Sequence, residues 1–401
     1  MKLPQHVKNC IDKLGAAGYS AYAVGGAVRD SLLGAEPADW DVTTSARPDE
    51  ILRVFESERT IPTGIKHGTV TVLLDNSGKN EPIEVTTFRI DGEYRDARHP
   101  ESVEFSTDVL ADLSRRDFTV NAMAFNEREG IIDAFGGLSD LEAGIIRAVG
   151  DPKKRFSEDA LRILRAFRFS AQLGFEIEEE TLRGAIICAP LLKNIARERI
   201  GAEIKRLLAS KGAVYALKNM VTGNIWSELF EIGAPSIEKI ESISRLESDC
   251  AFTRAALLIA DFDDGQKNAF LDGLRLSNAE KKLVLRLINV KSFDVDGQDL
   301  GVVARRFLHL FGDIYKEAFA LLRFYNPQKS ELFLEIELES AKKRALSIST
   351  LAIKGSDLLP LCESNHRRVG ILLGELLRCV IECPELNERE KLLEIAEKLI
   401  K

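Results

Sequence analysis

Asp39 and Asp41 are separated by Trp40 and followed by Val42-Thr43-Thr44, a β-branched run that predicts a strand. On a strand, residues two apart share a face, so the two carboxylates would aim at one point while Trp40 points the other way. Two convergent carboxylates suit a hard cation. Magnesium takes one or two protein carboxylates and completes its octahedron with water and substrate phosphates, the arrangement used for phosphoryl transfer. Glu84, within the run Ile83 to Phe88, is a candidate third carboxylate. Taken alone, so short a motif reads more readily as two solvated loop residues, and its neighbours have to decide.

Upstream stands Val24-Gly25-Gly26-Ala27-Val28-Arg29-Asp30, an apolar run entering two glycines and then a helix that ends near Gly34. Glycines there let backbone N–H groups approach phosphate oxygens, the helix start adds a favourable dipole, and Arg29 can pair with a phosphate. The same Gly-Gly turn would also serve as plain structure.

The segment Glu158-Asp159-Ala160-Leu161-Arg162-Ile163-Leu164-Arg165-Ala166-Phe167-Arg168 predicts a helix with Ser157 as its N-cap. Asp159 and Arg162 are then neighbours on one face, Arg165 and Arg168 extend the stripe, and Leu161, Ile163, Leu164 and Phe167 form the buried side. Acidic residues favour helix starts and arginines solvate exposed faces, so the pattern alone is ambiguous. Its chemistry is sharper. Cytosine and adenine present an amino donor beside an unprotonated ring nitrogen, whereas uracil and guanine present a carbonyl beside an N–H. An aspartate accepting from the amino group, next to an arginine donating to the ring nitrogen, accepts C and A and rejects U and G. Two misfitting buried contacts at about 1–3 kcal/mol each discriminate by roughly 30-fold to 10⁴-fold. No nucleic-acid template is needed.

Between these segments, Leu113-Ser114-Arg115-Arg116-Asp117-Phe118-Thr119-Val120-Asn121-Ala122-Met123-Ala124 offers Arg116 to a triphosphate, with Asp117 and Asn121 bracing the pocket or a ribose hydroxyl. By itself it also reads as a capped helix with a basic end. Arg89 to Pro100 is polar and turn-rich, and reads as a mobile loop beside the site.

These residues need positioning elements, and the chain supplies two kinds. The first ~145 residues alternate short strand-like runs (AYAVGG, GTVTVLLD, PIEVTTFRI) with turns, and DNSGKNEP reads as a hairpin turn. From about Ser157 onward the pattern is helical. At 401 residues, two or more packed units are expected. An apolar share of 45% with 29% charged residues gives no compositional case for disorder. No apolar stretch has signal-peptide or membrane-spanning length, so the expected location is cytoplasmic. The cysteines have no zinc-like spacing and are expected to be reduced thiols. A net charge of −8 disfavours general attraction to polyanions, yet residues 147–206 carry 13 Lys and Arg against 9 Asp and Glu, a local excess of basic charge.

GGAVRD with DWD, then RRDFTVNAMA, then EDALRILRAFRF, in this order, resemble the class II tRNA nucleotidyltransferases, close to the bacterial CCA-adding enzymes of the polymerase-β superfamily. The first ~210 residues carry the resemblance strongly. It implies an α+β fold: a nucleotidyltransferase head with a small mixed sheet (1–147), a helical neck that recognises the base (148–210), a helical body (211–330) and a helical tail that binds tRNA (331–401). It also implies that Asp39 and Asp41 hold Mg²⁺, beside which Glu84 stays the candidate third catalytic carboxylate of the strand reading. Gly26, Arg29, Arg116, Asp159, Arg162, Arg165 and Arg168 would bind the nucleotide. The implied partners are the tRNA 3′ end, ATP and CTP, with no membrane and no protein partner. Leu351 to Leu359 is similar to the family's tail motif, but Ser364 to Gly370 stands where relatives carry a proline- and glycine-rich turn; Arg367 and Arg368 there can still meet phosphate.

Poly(A) polymerase is disfavoured because Ile61 to Val70 lacks the basic-aromatic signature of the bacterial enzymes. CC-only addition is disfavoured by the Arg89 to Pro100 loop, leaving A-only addition as the alternative to full CCA addition. Intact Asp39 and Asp41 argue against a non-catalytic RNA-binding scaffold, and the sequence has no HD phosphohydrolase motif. If Asp159 reads the base, Asp159→Ala relaxes discrimination against UTP and GTP while metal binding is retained. Incorporation of each nucleotide in single-nucleotide extension assays checks this, and unchanged selectivity removes Asp159 from the role.

Overall fold

The computed structural model describes residues 1–76, 78–92, 103–297, 299–342, 344, 346–363 and 365–400. Most of the loop expected between Arg89 and Pro100 therefore lies outside the described residues, as does Ser364 of the divergent tail segment. The chain forms two compact units, Met1–Ile240 with Asp263–Leu276, and Glu241–Phe262 with Ser277–Lys401.

The first unit opens with α1 (Gln5–Ala16), β1 (Ala21–Val24), α2 (Gly26–Leu32), β2 (Asp41–Thr44) and α3 (Pro48–Val54). β3 (Arg59–Gly64), β4 (Thr69–Asn76) and β5 (Lys79–Thr87) follow, then β6 (Arg89–Asp91) paired antiparallel with β7 (Val103–Phe105). After α4 (Val109–Ser114) come β8 (Ala124–Asn126) and β9 (Gly130–Ile132). Seven strands make one mixed sheet in the order β3-β4-β5-β2-β1-β8-β9. β1 is buried along its whole length, as suits a central strand, with the one polar group of its AYAV sequence, the Tyr22 hydroxyl, donating to Glu129, and β4 alternates as a half-covered strand does. The hairpin is tighter than the DNSGKNEP run suggests, because pairing continues to Asn76↔Lys79.

Register decides where the chemistry sits. β1 pairs antiparallel with β2, matching Val24 to Asp41, and β2 pairs parallel with β5, matching Asp41 to Glu84. The chain thus leaves β1 for the Gly25 turn at the level where both carboxylates stand on adjacent strands, about 4.8 Å apart in strand spacing.

Beyond the sheet, and apart from a short parallel pair of Ile145–Ile146 with Glu176–Ile177, the unit is helical and includes α5 (Gly137–Ala143), α6 (Pro152–Glu158), α7 (Leu161–Leu173), α8 (Glu179–Cys188), α9 (Arg197–Leu208), α10 (Ala213–Thr222) and α11 (Ile225–Phe230). The expected cap at Ser157 is not formed. Asp151 caps α6, with Pro152 at its first position, and Ser157 lies inside that helix donating to the Lys153 carbonyl. The early start follows from Asp-Pro, the stronger initiation signal. α6 ends at Asp159, whose extended backbone (φ −143°, ψ 103°) breaks the helix before α7.

Trp226 anchors the end of this unit, stacked on Phe270 with centroids 5.4 Å apart and tilted against Phe230 at 4.7 Å, its indole N–H donating to the Gly233 carbonyl. The second unit is helical in its described residues. Within it, the buried Arg305 donates to the carbonyls of Ile381 (2.6 Å) and Glu382 (3.0 Å), closing the C-terminus of the helix His366–Glu382. Trp226→Ala should destabilise the first unit by about 3–5 kcal/mol, read as a lowered urea midpoint. An unchanged midpoint would show that the aromatic cluster is not what fixes this end.

Candidate active site

Asp41 opens β2 with its side chain toward solvent, Trp40 before it is buried and Asp39 is exposed, the alternation expected of the pair. Only Asp41 lies within the strand; Asp39 is in the extended approach to it. Although Asp41 is open on one side, loss of water around its carboxyl pushes the pKa up to about 6, helped by repulsion from Glu84 and Asp39 and opposed by Arg116. The raised proton affinity of Asp41 beside the charges of Asp39 and Glu84 marks a concentration of negative charge that a hard divalent cation would relieve. Among the described residues no group of three or more His, Cys, Asp or Glu could by itself hold a metal ion. The fit is therefore to a cation bound by two carboxylates and completed by water and phosphate.

The glycine turn stands beside them. Gly25 has φ +77° and ψ −135°, a conformation that side chains avoid, and a Cβ there would come within 3.1 Å of Arg116 Nη1. Gly25 thus keeps open the channel through which Arg116 reaches the rim. Arg29 is buried beneath the turn, donating to Asp30 Oδ1 (2.8 Å) and Asn121 Oδ1 (2.6 Å).

Arg116 is held by Asp112, which the sequence reading passed over. Asp112 is fully buried and accepts from Arg115 Nη2 (2.7 Å), Arg116 Nη2 (3.3 Å) and the Thr43 hydroxyl of β2 (3.2 Å). Burial works to raise its pKa, but the Arg116 and Arg115 charges outweigh that and hold it below the ordinary carboxylate range. Its signal was its position, one turn before two arginines on the apolar face of a short helix. Arg116 Nε is buried without a hydrogen-bond partner among the described residues.

Asp117 and Asn121, expected to brace the pocket, are joined to each other and to Arg165 and Arg29 by hydrogen bonds. Asp117 accepts from Arg165 (2.7 Å), from Asn121 Nδ2 (3.1 Å) and from the Phe118 N–H (2.9 Å). Burial alone would raise the Asp117 pKa; the Arg165 charge, the hydrogen bonds and the nearby Arg162 reverse this and hold it at about 2.

The arginine stripe is not a solvated face. Arg162 donates to Glu158 Oε2 (2.7 Å) and to the carbonyls of Arg155 (3.2 Å) and Arg115 (3.0 Å). Arg168 is buried in an ion pair with Glu203 of α9, so it faces the packing between helices. Arg29, Arg165 and Arg168 all lie over the Phe169 ring, at 5.0, 5.2 and 3.8 Å. Asp159 is not paired with Arg162. Its Oδ1 accepts from the Leu161 N–H (3.0 Å), capping α7, and its Oδ2 accepts from Arg199 Nη2 (2.8 Å). Sequence reasoning missed Phe169, Glu203 and Arg199, which are brought in by tertiary packing of α9 and α7.

The comparisons with known proteins agree with this architecture. Residues 21–147, which hold the sheet and its carboxylates, match the family described as the poly A polymerase head domain. Residues 174–239 match a probable RNA and SrmB-binding site of polymerase A. The first unit therefore contains a nucleotidyltransferase head. The chain is 35% identical to the CCA-adding enzyme of Enterococcus faecalis, over 97% of this chain and 94% of that one. The same identity holds to the CCA-adding enzyme of Limosilactobacillus fermentum, over 98% and 96%. The crystal structure of the Bacillus stearothermophilus CCA-adding enzyme in complex with CTP is similar with a TM-score of 0.83 and 30% identity, over 100% of this chain and 99% of that one. The chain belongs to the CCA-adding enzymes, the tRNA nucleotidyltransferases expected from its motifs. No helix among the described residues is long and apolar enough to cross a membrane.

Removing the Asp112 carboxylate leaves two guanidinium groups without their buried acceptor. Asp112→Ala should cost about 3–5 kcal/mol of stability and raise KM for ATP and CTP together, while Asp112→Asn keeps more of both. Urea unfolding with steady-state kinetics tests this; wild-type stability and KM in Asp112→Ala would refute the anchoring role.

Proposed function

We propose that this site adds C, C and A to the 3′ end of tRNA from CTP and ATP, without a nucleic-acid template and with release of pyrophosphate. The observation that carries the reading is the strand register that places Asp41 beside Glu84 at the Gly25 turn, under an arginine with an unpartnered donor. The terminal 3′-hydroxyl of the RNA attacks the α-phosphorus in line. The bond from that phosphorus to the bridging oxygen breaks, pyrophosphate leaves, and the hydroxyl proton passes to Glu84. Asp39 and Asp41 would hold Mg²⁺, which supplies charge stabilisation to the phosphoryl oxygens when bound.

The residues of the chain do the remaining work. Arg116, with its spare Nε, and the Gly25-Gly26 backbone receive the triphosphate; Arg29, fixed by Asp30 and Asn121, adds positive potential beneath it. Asp159 and Arg162 read the base from the break between α6 and α7, Arg165 is the adjoining wall, and Arg168 acts through Glu203 by fixing α7. We assign nucleotidyl transfer to residues 1–147, base reading to 148–210, a body to 211–330 and tRNA binding to the tail, 331–401, with the enzyme working in the cytoplasm. The exposed Arg367 and Arg368 at the start of the helix His366–Glu382 support the tail assignment.

The test is extension of tRNA transcripts ending before CCA, after C and after CC, each with CTP, ATP or both. Completion to CCA on all three is expected, and Asp41→Asn should abolish it. Addition to the CC-ended transcript alone would make this an A-adding enzyme, and a long A ladder a poly(A) polymerase.

A further inference from the structure

A carboxylate that distinguishes an amino group from a carbonyl has to present its lone pairs in one direction, and an aspartate side chain left alone turns about its last bond. Asp159 is exposed to that risk because it sits at a helix break, with one oxygen held by the Leu161 N–H. The other oxygen is held by Arg199 Nη2 at 2.8 Å, while Nη1 stands 3.5 Å from the first. Arg199 thus spans both oxygens from the side of α9, and a carboxylate carries about four acceptor positions, so one on Oδ2 stays open for a base.

The helix that carries Arg199 is itself fixed. Glu203, one turn on and so on the same face, receives Arg168 from the far part of α7, so α9 is tied to α7 there and to the break before it at Arg199. Between them Gly201 lies against the Leu274 backbone so closely that a Cβ would fall 2.0 Å from its carbonyl oxygen. Arg199 is therefore braced from behind by packing that a larger residue at position 201 would displace.

We propose that Arg199 is a specificity-determining positioning residue: it orients Asp159 for the base, and selection of C and A over U and G depends on it. This rests on the base-reading role of Asp159. The arginine touches no reacting atom, so its loss should act on base selection and leave triphosphate binding in place.

The experiment measures kcat/KM for CTP, ATP, UTP and GTP, and inhibition by inorganic tripolyphosphate, in wild type, Arg199→Gln, Arg199→Lys, Asp159→Ala and the Arg199→Gln/Asp159→Ala double variant. Arg199→Gln should lower the CTP:UTP and ATP:GTP ratios by roughly ten-fold or more, with tripolyphosphate inhibition unchanged. Lysine, a single-point donor that cannot span both oxygens, should recover part of the loss, and the double variant should be no less selective than Asp159→Ala. Selectivity intact in Arg199→Gln but relaxed in Asp159→Ala overturns the proposal and leaves the base-reading role standing. Selectivity intact in Asp159→Ala overturns both. A purely structural role would change tripolyphosphate inhibition along with selectivity, which also overturns it. Should the glutamine variant fail to fold, the lysine variant decides, wild-type ratios there being the refuting result.

Discussion

The site depends on packing guanidinium groups where water is scarce, and each is tolerated because a specific carboxylate meets it. Asp112 takes Arg115 and Arg116, Asp117 takes Arg165, Glu158 takes Arg155 and Arg162, Asp159 takes Arg199 and Glu203 takes Arg168. An unpaired charge in such surroundings is strongly destabilising, whereas a paired and hydrogen-bonded one is roughly neutral. The pairs therefore contribute little net stability and much geometry. They bring positive potential to a rim where a triphosphate has to bind, and they fix each arginine in one orientation before the ligand arrives, so little reorganisation is left to the reaction.

The opposite charge at the same place comes from the sheet. Because β2 runs parallel to β5 and antiparallel to β1, one register aligns Asp41, Glu84 and the exit of β1 into Gly25. A slip of one residue in β2 would turn Asp41 into the core and Val42 to the rim, so burial of Val42 and Val85 enforces the catalytic alignment. Arg116 joins the two halves: its carboxylate anchor, Asp112, also accepts from Thr43 within β2, so the arginine is referenced to the strand that carries Asp41.

Local pattern made part of this legible. The D-x-D alternation, the helix after Gly25-Gly26 and the hairpin run before Glu84 are short-range features, and the structure forms them with Trp40 buried between exposed carboxylates. The resemblance of three motifs supplied the α+β head and the helical remainder. Asp112 had a local signal, two arginines one turn on, but its burial against Thr43 of β2 was not legible, nor were the contacts of Phe169 with Arg29 and of Arg199 with Asp159, because these partners are far away in sequence. The break at Asp159 was misjudged for a local reason: Asp151-Pro152 starts a helix earlier than Ser157 would, and that helix has to end before the next begins. The stripe rule also misplaced Arg168, since its contacts with Glu203 and Phe169 bury a residue that periodicity alone puts outside.

That break carries a further consequence for a site that takes both a pyrimidine and a purine. The proposed triphosphate end is referenced to the sheet, through Arg116 and Asp112, while the proposed base-reading end hangs on the junction of α6 and α7. The two ends are joined by hydrogen bonds from Arg155 and Arg162 to the carbonyls of Ser114 and Arg115, at the C-terminus of α4. Carbonyls at a helix end lack intrahelical partners, so they hold these arginines firmly without demanding a fixed side-chain rotamer in return. A continuous helix from Pro152 to Leu173 would lock Asp159 and Arg162 onto one rigid cylinder. An interrupted one lets Asp159 be set by α9 and Arg162 by α4, so the two groups proposed to read the base are placed by different elements. Cytosine and adenine share a donor–acceptor edge but differ in ring size, and the proposed reader meets that shared edge with two separately anchored groups.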